Sequence, residues 1–427
     1  MEPEGPAGRL GTRMAVAVFL VFAFAYFLSA LLRAVTATLA PVLVAEFALH
    51  ARDLGLLAGG YFLGFAAMQL PMGRWLDRHG PRAVVLAFSG LAVAGCAVFA
   101  LADGFGDLLL GRVLCGAGVS ACLMAPLTGF RRWMSPAAQL RANAWMLMTG
   151  SLGMVASTLP VQWLLPLTGW RPMFGALGLL VVLAALLIAR CAPRWDGQDS
   201  RSAADAPERP GGPDAPPPGY AAVWRHPYFR RLAPLGFFTY GGMVAVQTLW
   251  AGPWLQRVAG YSPLEAATGL FTINLAMLCA FWTWGMVNPW LLRRLGGADP
   301  VMAAMLPVPL AVLAGIVIAG EAAGAAAWAL YCVTTSCITL SQPALAMAFP
   351  QGMAGRVLSA FNLVMFLGVF CVQWGIGLAV DAFVTAGWPE SSAFRATMAA
   401  YGACSALAYA WFLVRGRRHN AVHPITP

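Results

Sequence analysis

The sequence contains no lysine, and all 27 of its basic residues are arginine. Charge of either sign is scarce: Asp, Glu and Arg make up 10% of 427 residues, against about a quarter in a soluble domain. Acid is missing from the interior of the hydrophobic runs, because each of the seventeen Asp and Glu residues falls in a loop, a terminus or the end of a run. That argues against a proton relay built on carboxylates inside those runs. A Gly-rich phosphate loop closed by Lys-Ser/Thr is also missing, which argues against ATP as the driving force. The five histidines are peripheral, the nine cysteines lie mostly within apolar runs without a histidine at ligand spacing, and no Ser-His-Asp or Cys-His set is apparent. The cysteines are read as small packing residues. No metal, no cofactor and no enzymatic activity are expected, and the exclusive use of arginine is read as base composition rather than function.

What is present in quantity is apolar surface: 60% of the residues are hydrophobic. Runs of roughly 20 residues, long enough to cross about 30 Å of hydrocarbon at 1.5 Å per residue, recur along nearly the whole chain. Twelve are predicted, over 14–42, 54–73, 83–102, 107–129, 141–166, 172–190, 231–255, 264–291, 300–319, 323–348, 356–381 and 394–414. The first exceeds the 7–15-residue core of a signal peptide and carries Arg33 and Pro41, so it is read as a retained helix. The fold class is therefore an all-α membrane protein with twelve transmembrane helices, six on each side of a polar segment. That segment, 192–229, is rich in Pro, Gly and charge and is expected to be a flexible cytoplasmic linker. It separates an N-terminal bundle, 1–191, from a C-terminal bundle, 230–427.

The net charge of +10 might suggest nucleic acid, but its distribution points to a bilayer. Alternate loops hold Arg9, Arg13, Arg74, Arg78, Arg82, Arg131, Arg132, Arg141, the group from Arg190 to Arg231, Arg293, Arg294, Arg356, Arg415, Arg417 and Arg418, whereas the opposite set holds Arg52, Arg171, Arg257 and Arg395. The bias places both termini and the central segment in the cytoplasm. Compact loops suggest a bacterial inner membrane. The expected partners are a small-molecule solute, the lipid bilayer and a coupling proton or counter-anion, with no nucleic acid, and the chain is read as a monomer.

One stretch carries a motif: Pro71-Met-Gly73-Arg74-Trp-Leu-Asp77-Arg78-His-Gly80-Pro81-Arg82, read as a tight Gly-punctuated turn between the second and third runs. Gly73, Asp77, Arg78, Gly80 and Arg82 occupy the places of the loop signature of the major facilitator superfamily, which the chain resembles over nearly its whole length. The resemblance implies two six-helix halves as pseudo-symmetric repeats, a solute site near the midplane between them, and a cytoplasmic gate formed by this loop. The matching loop of the second half keeps Arg294 and Gly296 but has Arg293 where the acid stood.

Two arginines, Arg33 and Arg112, fall within spans. A charge in hydrocarbon costs a few kcal/mol and is kept for function or for an internal partner. Arg112, four residues before Gly116, resembles a second superfamily signature on the fourth helix and implies a role in coupling or conformational change. The plainer reading is a side chain snorkelling to the outer interface. Arg33, eight residues before Pro41, resembles the arginine of the organophosphate antiporter and anion:cation symporter branch, where it holds an anionic group. Its planar fork suits a carboxylate or phosphate. The alternative is an interfacial arginine, or one bonded to carbonyls freed by Pro41. Phosphate exchangers of the branch use a second arginine on the seventh helix, which lacks one here, so a monoanion such as a small carboxylate fits better. Nitrate carriers place arginines on the second and eighth helices, and neither has one. The helix-5 Gly-Pro pair of drug exporters is also missing, although Gly150 and Gly153 remain.

The sequence thus predicts a secondary active transporter of a small solute, an organic anion, working by alternating access. A proton-linked exporter of amphipathic compounds is the alternative. The expected solute-binding residues are Arg33, Tyr26, Tyr61, Asn143, Gln247, Asn274 and Asn362. The expected gating and coupling residues are Gly73, Asp77, Arg78, Gly80, Arg82 and Arg112. For each amide, bonding between helices is the competing role.

Overall fold

A computed structural model describes residues 10–194, 220–350 and 353–422; the side chains at 136, 137, 140 and 417–422 lie outside the description. The expected linker falls largely on 195–219, outside the described residues. Every described element is helical, as lipid requires of a chain that must satisfy its own backbone. Among the described residues nine helices are long and apolar enough to span a bilayer, and a pair bent by 44° makes up to a tenth span.

In the first half these are α1 (Thr12–Phe47), α2 (Ala51–Ala67, continued from Gln69 to residue 79), α3 (81–100), α4 (Phe105–Trp133), α5 (Pro136–Ala156 and Leu159–Thr168, the bent pair) and α6 (Trp170–Cys191). In the second half they are α7 (Pro227–Arg257), α8 (Pro263–Leu295), α9 (Ala298–Ala322), α10 (Ala325–Thr335, extended through a 3-10 turn to Met347), α11 (Ala354–Thr385) and α12 (Glu390–Val422). Counting the interrupted α2 and α10 as one run each gives twelve among the described residues.

The helices outlast the predicted apolar windows because their polar ends project beyond the hydrocarbon and carry the caps. Ser262 and Glu265 close a reciprocal capping box at the start of α8 (2.8 and 3.3 Å), with Pro263 in the first turn where no N–H is needed.

Two predictions are corrected. The stretch from Pro71 to residue 79 is not a turn but the helical end of α2, and the reversal is confined to Gly80, whose φ of 73° is open to glycine at little cost. Pro81 then starts α3 with its φ already fixed. Most of residues 220–229, expected in the linker, are helical: Tyr220–Arg225 forms a short helix with Val223 buried, and α7 starts at Pro227 after the extended His226.

The first half is drawn tight by small residues. A Cβ on Gly116 of α4 would overlap the Tyr61 carbonyl of α2, and one on Gly64 of α2 would overlap the Val113 carbonyl of α4, so the two backbones run in direct contact.

Candidate functional site

Helices α1, α2 and α4 converge at the middle of the first half. Arg112 is fully buried, donating from Nη1 to the Leu32 carbonyl (2.6 Å) and from Nη2 to the Arg33 carbonyl (3.4 Å), with its guanidinium 5.0 Å from the Tyr61 ring centre. It does not snorkel. Its charge is solvated by backbone dipoles and an aromatic face, and it braces α1 at the turn carrying Arg33. Tyr61, fully buried, donates to the Ser29 carbonyl at 3.1 Å and fixes the previous turn of α1.

Arg33 differs from Arg112 in keeping accessible surface. Its guanidinium lies 5.8 Å from the Phe65 ring centre, its Nε is shielded without a hydrogen-bond partner, and the groups acting on its charge are the phenols of Tyr61, Tyr26 and Tyr240. No acid faces it. Every acid among the described residues sits at a helix end, from Glu46 at the close of α1 to Glu390 at the start of α12. The two arginines, on adjoining helices, are linked through the Arg33 carbonyl, with no carboxylate near either among the described residues.

Tyr26 is buried, with its ring against Gly150 of α5. Asn143, also on α5, is half-buried with its Oδ1 shielded and unpartnered. Gln247 and Asn274 are buried and bond to one another at 3.0 Å, joining α7 to α8. Gln247 and Asn274 therefore bond between helices, and Tyr61 is engaged with Arg112 and the Ser29 carbonyl. Asn362 on α11 keeps accessible surface and accepts from Gln342 Nε2 of α10 at 2.9 Å.

Sequence reasoning missed Gln342, an amide within an apolar run that could have been noted, and Phe65 and Phe366, which nothing in an aromatic-rich sequence sets apart. It also missed the π-helical turns Gly236–Tyr240 and Val246–Trp250 of α7, which carry Tyr240 and Gln247. Such turns are rare and gather at functional positions.

Of the motif residues at the arginine-rich end, Asp77 and Arg78 are exposed, Gly80 is buried, and Arg82 donates to the Ala189 carbonyl at the end of α6, tying α3 to α6. Gly73 has open space where a side chain would project.

The opposite, arginine-poor end is closed between the halves. Asp381, in the last turns of α11, accepts from the backbone N–H groups of Ala51 (3.1 Å) and Arg52 (3.0 Å), acting as a cap in trans on α2. The carboxylate also complements the helix dipole. The neighbouring Arg52–Asp381 ion pair is long, 3.9 Å, and exposed, and adds little. Just inside, a Cβ on Gly55 would stand 2.5 Å from the Gln373 carbonyl, and Phe65 meets Phe366 with ring centres 4.4 Å apart. Losing a cap of this kind costs about 1 kcal/mol, so Asp381→Ala should raise the population open at this end about fivefold. Spin labels at Ala48 and Ala386 would read the shift by double electron–electron resonance, and an unchanged distance distribution would show that Asp381 does not hold this end shut.

Among the described residues the chain is polytopic and all-helical, with its two halves in contact at the arginine-poor end. The family model for the Major Facilitator Superfamily matches residues 22–372, and the chain belongs to that superfamily, whose members are secondary transporters. Among curated proteins it is 26% identical over 258 residues, 59% of each chain, to the "Probable sulfoacetate transporter" of Cupriavidus necator. It is 26% identical over 160 residues, 37% of each chain, to the hexuronate transporter of Escherichia coli K12. The chain thus spans well under two thirds of either relative. Among solved structures, a bacterial homologue of the human lysosomal transporter Spinster, inward-facing and unoccupied, superposes with a TM-score of 0.70 at 18% identity, covering 96% of this chain and 98% of that one. The D-xylose–proton symporter gives 0.72 at 14% identity, covering 93% and 97%. At these identities the structures establish the fold alone.

Proposed function

We propose that the chain carries a small organic monoanion, a carboxylate or sulfonate, by alternating access, with Arg33 as the anion-binding side chain. The observation that carries this is a partly exposed arginine, Arg33, at the centre of the first half, beside a second, buried arginine and faced by no acid among the described residues. Each uncompensated charge costs about 2.5–3.5 kcal/mol at the bilayer centre, and an anion docking on Arg33 offsets part of that cost. Sulfonate and carboxylate both match the guanidinium fork. The two relatives named for sulfoacetate and hexuronate carriage support an anionic cargo. Tyr26, Asn143 and Asn362 are the further contacts, and Arg112 couples the site to α1 through the Leu32 and Arg33 carbonyls. The exporter alternative would ask a cationic amphiphile to bind beside two guanidiniums, and nothing in the site favours it.

The two bundles, 1–191 and 230–427, are the rocking bodies. With the arginine-rich end in the cytoplasm of a bacterial plasma membrane, closure at the Asp381 end corresponds to an inward-facing state, and the segment containing Gly73, Asp77 and Arg78 closes the cytoplasmic end in the other state. The open space over Gly73 gives a test. Gly73→Leu should leave the melting temperature unchanged, since nothing stands within 4 Å here, yet slow transport by at least about tenfold if the halves must close over this position, the effect of a clash worth about 1.4 kcal/mol. Transport at the wild-type rate would remove Gly73 from the gate. The reading as a whole is tested by counterflow in proteoliposomes with small carboxylates, sulfonates, nitrate and cationic drugs. Uptake only of the drugs would overturn it.

A further inference from the structure

We infer that the arginine-rich ends of α7 and α12 form a binding site for an anionic phospholipid, with Arg230 and Arg415 receiving the headgroup phosphate and Trp411 as the platform between them. The site lies on the outer surface of the second half, away from Arg33 and from the gate.

Trp411 joins the two arginines. Its indole Nε1 donates to the Arg230 carbonyl at 3.1 Å, tying α12 to the first turn of α7. The Arg415 guanidinium stands 4.3 Å from the Trp411 ring centre, one turn further along α12. A cation stacked on an indole is already ordered, so it gives up less rotamer freedom when a ligand docks. Arg230 is exposed, Arg415 is partly so, and neither forms an ion pair among the described residues. Asp299 of α9, the acid at this corner, is already engaged: it accepts from the Tyr228 hydroxyl and pairs with Arg231. Arg231 also donates to the Phe412 carbonyl at 2.8 Å and covers the Phe412 ring at 4.1 Å. One neutralised arginine thus closes the seam between α7 and α12, and two arginines without a counter-charge lie beside it.

The same surface turns apolar toward the membrane centre, which selects a lipid over a soluble anion. Leu407, Trp411 and Val414 are exposed on α12 at the i, i+4 and i+7 positions of one helix face. Leu407 lies eight residues before Arg415, about 12 Å nearer the membrane centre. An acyl chain laid on that face brings its phosphate to the level of Arg415, with the indole at headgroup depth. Each guanidinium can meet a phosphate through two parallel hydrogen bonds, and basic pockets between helices at this side of a membrane hold anionic headgroups. Arg294 of α8 gives the contrast: it stands over Trp290 at 5.4 Å without a second free arginine, because its neighbour Arg293 bonds back to the Pro289 carbonyl.

The test is native mass spectrometry of the purified, delipidated full chain titrated with phosphatidylglycerol or phosphatidylcholine, in wild type, in the double variant Arg230→Gln with Arg415→Gln, and in Arg294→Gln. Wild type should bind phosphatidylglycerol more tightly than phosphatidylcholine. The double variant should bind phosphatidylglycerol about thirtyfold more weakly, the effect of two charges at a membrane surface, with phosphatidylcholine unchanged. Arg294→Gln should match wild type for both lipids. Arg415→Gln alone, expected to weaken phosphatidylglycerol binding about fivefold, serves in place of the double variant if that protein elutes as aggregate. Equal binding of the two lipids by wild type would overturn the anionic class. Wild-type affinity for phosphatidylglycerol in the double variant would overturn the site, and so would an equal loss in Arg294→Gln, which would make the attraction a property of the whole basic end.

Discussion

Arg33→Gln is expected to lower transport about a hundredfold with the protein still inserted and monodisperse. The size follows from losing a charge-assisted, two-pronged contact in a low-dielectric site, about 3 kcal/mol. Folding should survive because Gln removes a charge that is costly to bury and keeps a polar head beside the phenols of Tyr26, Tyr61 and Tyr240. Arg33→Lys separates charge from geometry. An ammonium keeps the attraction and loses the fork, so an intermediate rate is expected. Counterflow in proteoliposomes at matched protein density measures both, and wild-type transport by Arg33→Gln would return this arginine to a packing role.

Gly116→Val is expected to abolish folded protein, a larger effect on stability than any change at the exposed motif residues. A Cβ at 116 would overlap the Tyr61 carbonyl of α2, and backbone cannot rotate away as a side chain can. Overpacking typically costs about 1–3 kcal/mol, and the cost here exceeds that range because a branched side chain must enter a backbone–backbone contact. The damage would also reach the site, since Tyr61 supports Arg112 at 5.0 Å and holds Ser29 of α1. Size-exclusion profile and yield from membranes read the outcome. A variant that folds and transports normally would mean that α2 and α4 separate more easily than their packing implies. Gly73→Leu, over open space, is the paired control.

How legible the protein was differs between fold and site. The helices could be read because lipid imposes one backbone solution on any long apolar run, and the arginine bias set the expected sidedness. Errors occurred where local chemistry, not hydropathy, decides. The helix through Pro71 to Gly80 looked like a turn because its residues are turn formers, yet one positive φ at Gly80 suffices to reverse the chain. The intramembrane arginines stood out as charges in apolar runs.

The sequence by itself determined the class of the protein, its twelve apolar runs and the scarcity of acid between them, all properties that depend on neighbours along the chain. The tertiary structure decided which arginine is accessible and which is bonded away, that Gln247 and Asn274 satisfy one another, and that Asp381 caps a helix 330 positions away in sequence. Each of these depends on which helix faces which, and periodicity alone leaves that open: a helix that is apolar on all sides carries little record of the neighbour its polar residue meets.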